Sequence, residues 1–319
     1  MIYPWQASLW ESVQRARQDK HLPHALLFTG EDGCGNTDFL QTLAKSLLCL
    51  NPSGDGMACG QCRSCQVFGA QAHPDFAAVS LQEERQAILI EQIRELNYFL
   101  GLSRSYSPNR VVTIVPAERM NINAANSLLK SLEEPAPNTH ILLLTAHPAA
   151  LLPTIRSRCQ EMRLPLPAPE MALAWLQQQT LQHPAETLLA AAHGRPLEAL
   201  ELDSTDTLAQ HRQWLHHLGQ LAQGEGNITE ISAHWEKYDK TLLLNWQLDC
   251  LHALAKQEQL PQQPASFPVE LQTIRKGGVG EQKLWAIHEK LLELKKLATH
   301  PLNPRLFVES MLMLWKATH

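Results

Sequence analysis

Residues 30–37 read Gly-Glu-Asp-Gly-Cys-Gly-Asn-Thr, the frame of a phosphate-binding loop, G-x-x-x-x-G-K-[ST], with Asn36 in the lysine position. A lysine there sets a full positive charge against the outer phosphates of a nucleotide, and a charge-assisted hydrogen bond is roughly twice as strong as the neutral one an amide can make. Gly30, Gly35 and Thr37 keep the shape of an ATP loop, while Asn36 removes its grip. An ordinary strand-to-helix turn would use the same glycines for positive φ angles.

The flanks supply the elements that such a loop requires. His24–Thr29 is a short apolar run ending at Gly30, and after Thr37 the residues Phe39, Leu40, Leu43, Ala44, Leu47 and Leu48 recur at helical spacing. Strand, loop and helix follow in order. A second strand, Arg110–Val115, ends where a phosphate-loop ATPase carries a magnesium-binding aspartate and a catalytic glutamate. Val115 and Pro116 occupy those places, and Glu118 lies three residues beyond the strand with no spacing that brings it to a metal. Thr37 alone still offers a hydroxyl, and a hard divalent ion needs carboxylate and phosphate oxygens around it. The reading is therefore no functional ATP binding.

The cysteines carry a second chemistry. Cys49, Cys59, Cys62 and Cys65 form a C-x9-C-x2-C-x2-C pattern, and four thiolates suit a closed tetrahedral structural Zn2+ site, with residues 51–56 turning the chain between the first ligand and the rest. A ferredoxin-type cluster is the alternative, but its run wants a further cysteine three residues on followed by proline, and position 69 is glycine. Disulfides are disfavoured, since no secretory signal is present and Cys34, Cys159 and Cys250 fit no pattern.

Three further segments suggest a relationship: Asn126-Ser-Leu-Leu-Lys-Ser-Leu-Glu-Glu-Pro135, the strand Ile141–Thr145, and Thr154-Ile-Arg-Ser-Arg-Cys159. Together they resemble the AAA+ subunits of bacterial clamp loaders, which carry an N-x-L-L-K-x-L-E-E-P helix and a Ser-Arg-Cys motif. The likeness runs from His24 to the Asn303–Leu306 start of the last helix. It implies an α/β plus all-α chain: a P-loop AAA+ domain with a parallel sheet over residues 1–165, holding a zinc module at 49–65, a small helical lid over 166–205, and a C-terminal helical collar domain over 206–319. With the ATP loop degenerate, it implies a non-hydrolysing subunit, assembled with motor subunits (tau/gamma) and a delta subunit in a hetero-pentamer that loads the sliding clamp on primer-template DNA. The polymerase centre of that DNA polymerase III holoenzyme would lie in another subunit. The resemblance also assigns Arg158 as an arginine finger acting in trans, with Arg156 as the fallback, and puts a first sensor residue at Thr145 and a second at Leu197. Arg195, two residues away, is not expected to substitute.

Without the family these segments still have plain readings. Ile122, Ala125, Leu128, Leu129 and Leu132 form one apolar helical stripe, Asn121 or Asn123 caps its start, and Pro135 and Pro137 forbid its continuation. Lys130, Glu133 and Glu134 then read as a solvated face. Thr145 reads as an exposed turn former at a strand end, and Arg158 as a partner for a local carboxylate or for the backbone.

Composition bounds the rest. The 319 residues, 44% of them hydrophobic, allow two or three domains, and 27 Lys plus Arg against 32 Asp plus Glu give a net charge of −5, with no general attraction to nucleic acid. No signal-peptide core is evident, and the most apolar helix, Leu242–Leu254, is interrupted by Asn245, Gln247 and Asp249. A cytoplasmic protein without membrane contact is expected. A proline-rich break at 164–169 precedes a short helical segment, Met171–Leu200, and the remainder reads as helices. Trp214, Leu215, Leu218 and Leu221 make one stripe, and Leu284, Ile287, Leu291 and Leu294 another. The last helix has Asn303 as cap, Pro304 in its first turn, and Leu306, Phe307, Met311, Leu314 and Trp315 inward; residues 277–280 read as a loop. Two other functions stay open: an active ATPase with a degenerate loop, and a zinc-based nucleic-acid binding module. Against the second, Arg63 is the only basic residue between the cysteines.

Overall fold

The computed structural model describes residues 1–82, 85–205, 207–259, 269–276, 280–298, 300 and 302–316. The expected loop at 277–280 lies outside them except for Gly280, which precedes helix α14 below.

Five short segments form a parallel sheet: β1 (Ala25–Thr29), β2 (Phe76–Val79), β3 (Arg110–Ile114), β4 (Thr139–Thr145) and β5 (Gln160–Arg163), in the order β2-β3-β4-β1-β5. β1 runs in register with β4, Ala25 beside Ile141 through Thr29 beside Thr145, and with β5 on its other edge. All five residues of β1 and of β3 are buried, as expected for parallel strands covered on both faces.

Alternation along the strands sorts the side chains into two layers. Leu26, Phe28, Leu142 and Leu144 face α1 (Ala7–Gln18) and α2 (Asn36–Leu48), where Trp10, Phe39, Leu40 and Leu43 complete one core. Ala25, Leu27, Ile141 and Leu143 face the opposite layer, where Ile93 and Leu96 of α4 (Ile90–Gly101) and Leu128 of α5 (Ile122–Glu133) complete the other. Between α2 and α4 lies α3 (Arg63–Gly69), and after β4 comes the single turn α6 (Pro153–Arg156). The expected stripe on α5 needs one correction: Ile122 is 67% exposed. Asn121 caps the helix by accepting the Ala124 N–H at 2.8 Å, so Ile122 falls at the first helical position, outside the stripe that begins at Ala124 and Ala125.

Three helices follow the sheet: α7 (Pro169–Leu176), α8 (Ala185–Ala191) and α9 (Pro196–Ser204). Proline opens α7 and α9 at a position where a missing N–H costs no intrahelical bond. The chain divides into two compact units, Met1–Glu201 and Leu202–His319.

The described residues of the second unit form helices and their connections: α10 (Thr207–Ala222), α11 (Ile228–Trp235), α12 (Lys240–Gln259), α13 (Val269–Lys276), α14 (Glu281–Leu297) and α15 (Pro304–Met313). Its core is built around Trp214, Trp235 and Trp315, each fully buried. Two indoles keep their N–H satisfied: Trp315 donates to Gln247 Oε1 at 2.6 Å and Trp235 to His217 Nδ1 at 2.9 Å. Asn303 caps α15 by accepting the Leu306 N–H at 3.2 Å. Leu306, expected inward, is 62% exposed, and Val308 and Leu312 fill the core with Phe307 and Met311. The cap sets Leu306 on the outer side of the first turn.

Candidate functional site

The glycine loop leaves the C-terminal end of β1 between β4 and β5, with Gly33 at φ +75° and Gly35 at φ +77°. That backbone requires glycine, and Gly35 also lies under the Tyr3 ring, where a Cβ would meet the ring at 2.2 Å. Asn36 turns inward. Its amide donates to the Glu31 carbonyl of the same loop at 2.7 Å, and Asn36 Oδ1 is buried without a hydrogen-bond partner. Thr37 is exposed at the start of α2.

The loop is covered from two sides. From the N-terminus, the Trp5 indole N–H and the Gln6 amide both donate to the Cys34 carbonyl at 3.0 Å, Gln6 also reaches the Gly35 carbonyl at 3.0 Å, and Tyr3 Oη donates to Asp38 at 2.6 Å. From α9, the Leu197 N–H donates to the Gly33 carbonyl at 3.0 Å, and Glu198 and Arg195 lie against Gly33. Trp175 of α7 closes an aromatic cluster, edge-on to Tyr3 and to Trp5 with ring centres 5.6 Å apart in both pairs. None of these partners was legible from the loop motif, because they lie between 28 and 35 residues away along the chain or in other helices.

Burial and the Glu31, Glu198 and Asp32 carboxylates push the Cys34 thiol up to about 11, with Arg195 alone opposing them. Two of these carboxylates, Glu31 and Asp32, belong to the loop itself. Arg195, in the vicinity of the second sensor position, is bound to Glu198 at 2.9 Å and to the Ala192 carbonyl at 3.0 Å.

At the end of β3, Val115 and Pro116 offer no carboxylate, and Glu118 sits in a short 3-10 turn, Ala117–Arg119. Thr145, expected to be exposed, is fully buried; its hydroxyl accepts the His147 N–H at 3.0 Å and closes the turn after β4.

Arg158 follows α6 and is engaged within its own chain. Its Nε donates to Glu133 Oε1 at 2.6 Å, Nη2 lies 2.5 Å from the same oxygen, and Nη1 donates to the Thr154 carbonyl at 3.1 Å and to Ser157 Oγ at 3.3 Å. Both residues stay partly open to solvent. Arg156 makes a looser pair with Glu161 at 3.7 Å.

The four cysteines come together. Their sulfurs all lie within 4.8 Å of one another, with Cys49 to Cys59 at 3.6 Å, Cys49 to Cys62 at 3.9 Å and Cys59 to Cys65 at 4.0 Å. A tetrahedron with metal–sulfur bonds of about 2.3 Å has edges of about 3.8 Å, so the donor set fits a closed four-thiolate site. Backbone N–H groups aim at the sulfurs: Cys59 N at Cys49 Sγ and Cys62 N at Cys59 Sγ, both at 3.3 Å, and Cys65 N at Cys62 Sγ at 3.5 Å. Burial works against ionising Cys62, but the N–H groups of Cys65 and Leu50 prevail and hold its thiol down to about 6. Cys34, Cys159 and Cys250 remain free thiols.

A buried polar network fastens this module to the sheet. Ser64, between two of the cysteines, donates to the Leu48 carbonyl at 2.7 Å and lies 2.9 Å from His73 Nε2, which also meets Ser107 Oγ at 3.1 Å. The Asp75 carboxylate accepts the N–H groups of Ser105, Tyr106 and Ser107 at 2.6, 3.1 and 3.0 Å.

A parallel sheet covered on both faces, a glycine loop at the end of its first strand, helices laid over that loop, and a helical C-terminal part define an AAA+ P-loop fold. Comparison with known proteins agrees. A family model described as DNA polymerase III, delta subunit, matches residues 5–168. The DNA polymerase III subunit delta-prime of Pseudomonas aeruginosa is 32% identical over 98% of this chain and 97% of that protein, and its namesake in Haemophilus influenzae is 36% identical over 67% of this chain and 65% of that protein. A solved DNA polymerase III gamma subunit-related protein from Thermotoga maritima shares the fold, with TM-score 0.53 and 20% identity, over 95% of this chain and 98% of that one. The chain belongs to the family of DNA polymerase III delta-prime subunits.

Proposed function

We propose that this chain is the non-hydrolysing subunit of a bacterial clamp loader, seated in a hetero-pentamer with tau/gamma motor subunits and a delta subunit, where it helps to load the sliding clamp on primer-template DNA in the cytoplasm. The observation that carries the reading is Asn36: the side chain in the lysine position is buried and spent on the loop's own Glu31 carbonyl. The loop itself carries Glu31 and Asp32, and β3 ends without a carboxylate, so a triphosphate would meet like charge in the loop and no magnesium ligand beside it. Catalysis then belongs to other subunits of the holoenzyme. An active ATPase would need the opposite arrangement.

In this reading residues 1–165, 166–205 and 206–319 are the P-loop, lid and collar parts, and exposed Trp285, Leu292 and Met313 of the helical part are apolar surface that ring neighbours would cover. No helix among the described residues is long and apolar enough to cross a membrane. Cys49, Cys59, Cys62 and Cys65 hold a structural Zn2+. Arg158 acts in trans, since a planar, permanently charged guanidinium matches the oxygens of a transferring phosphate on a neighbouring ATPase subunit.

Sedimentation of the purified chain with motor and delta subunits tests the assembly: one defined complex is expected, and a chain that sediments alone overturns the reading. Within that complex Arg158→Ala should leave assembly and zinc content unchanged and lower the DNA- and clamp-stimulated turnover of the single site it faces, by up to ~10³–10⁵-fold.

A further inference from the structure

Glu133 stands where a carboxylate gains nothing from its helix. It is the last residue of α5, at the negative end of the helix dipole, which favours cations and disfavours a second negative charge. The Arg158 guanidinium lies against it, and both Nε and Nη2 converge on one oxygen, Oε1. The turn that carries Arg158 is itself fixed, since the Arg158 N–H donates to the Ile155 carbonyl at 3.1 Å and Ile155 is fully buried beneath it.

The bonds are unequal in a useful way. Glu133 fills the Nε edge of the guanidinium with the two shortest contacts, while the Nη1 end is held by longer bonds to Thr154 and Ser157. A long arginine side chain at a surface has many rotamers, and ordering it costs free energy unless it is ordered beforehand. Clamping one edge through Nε and Nη2 orders the side chain and leaves Nη1 as the end that can exchange weak partners for a phosphate. Arg156, by contrast, has only a loose contact with Glu161.

From this we infer that Glu133 is a positioning residue for Arg158: it preorganises the guanidinium for the neighbouring subunit's phosphate and touches neither nucleotide nor metal itself. The inference rests on the arginine-finger reading above. Because the pair is partly exposed, its effect is moderate, on the order of 2- to 5-fold in rate, the range an exposed ion pair supports. That effect falls on kcat and leaves the KM for ATP unchanged, since Arg158 would act on the phosphate as it transfers.

The test is steady-state ATP turnover in the reconstituted clamp-loader complex carrying this chain as wild type, Glu133→Ala, Glu133→Gln, Arg158→Ala or the double variant Glu133→Ala/Arg158→Ala, with Glu134→Gln as the neighbouring charge control. The expected result is a lower kcat in Glu133→Ala, a smaller loss in Glu133→Gln because an amide oxygen still accepts from Nε, and a double variant no slower than Arg158→Ala. Glu133→Gln keeps the comparison valid if Glu133→Ala fails to assemble. A rise in turnover on removing Glu133, losses that multiply in the double variant, or an equal loss in Glu134→Gln each overturns the inference. If Arg158→Ala lowers turnover and neither Glu133 variant does, only the positioning role fails. If Arg158→Ala itself has no effect, the arginine-finger reading fails and takes this inference with it.

Discussion

Asn36 shows how one residue type changes a loop beyond the loss of a charge. A lysine here would point outward to a phosphate, whereas the shorter amide reaches back to Glu31 and becomes part of the loop's own hydrogen bonding. Asn36→Lys alone is therefore expected to create no ATP hydrolysis, because Val115 and Pro116 still provide no metal ligand and Glu31 and Asp32 still place negative charge in the loop. A phosphate-release assay on the variant checks this, and magnesium-dependent turnover would contradict it; for the wild type, isothermal titration that gives a micromolar dissociation constant for magnesium and ATP would contradict the loss of nucleotide binding. At this scale the sequence was legible for identity and silent on direction. It showed which residue replaced the lysine, but the inward turn of Asn36 and the seat of Arg158 on Glu133, 25 residues away, depend on rotamers that neighbouring elements select.

At the scale of elements, the cysteine module and the loop at 105–107 are tied through one buried cluster. Asp75 is fully buried, and burial would raise its pKa, but three backbone N–H groups outweigh it and hold the carboxyl below its ordinary value. A depressed folded pKa adds stability that is present above the ordinary value, near 4, and is lost as pH falls through the lowered one. Asp75→Ala should cost about 3 kcal/mol at neutral pH, since it strands buried donors to a charged acceptor, and the deficit should shrink as the wild type is acidified through that window. Denaturant midpoints across the pH range measure it. The module itself should carry one zinc per chain. Cys62→Ser is expected to lower metal content and loosen residues 50–62 while the sheet keeps its fold, because the two layers flanking it have cores of their own. Acidification should release the metal as protons compete for the thiolates. Elemental analysis that finds iron, or no metal in protein prepared without chelator, would refute the assignment.

For the whole molecule, the two units have separate hydrophobic cores: Trp214, Trp235 and Trp315 belong to the helical one, and the sheet is flanked by the other two. Chains built this way commonly unfold in more than one step. Trp235→Ala, which removes a fully buried indole, should cost about 3–5 kcal/mol and shift one transition only, leaving zinc content and the sheet's transition in place. Calorimetry resolves the two, and a joint shift of both would refute their independence.

The pattern of residues by itself determined the elements that repeat over many positions: the β1-loop-α2 unit, the α5 stripe, the helical second unit and the four-cysteine spacing all follow from local periodicity and ligand chemistry. Short elements escaped it. β2 has four residues and β5 is a largely exposed edge strand reading Gln-Glu-Met-Arg, so neither carries an apolar run long enough to stand out from a loop. Ile122 and Leu306 were misplaced because a capping asparagine, and not hydrophobicity, sets where each helix begins. Tertiary structure alone decided what lies over the glycine loop, which carboxylate holds Arg158 and how Ser64, His73 and Ser107 meet, since these are contacts between residues far apart in the chain, and a local sequence pattern carries no information about partners that only folding brings within hydrogen-bonding distance.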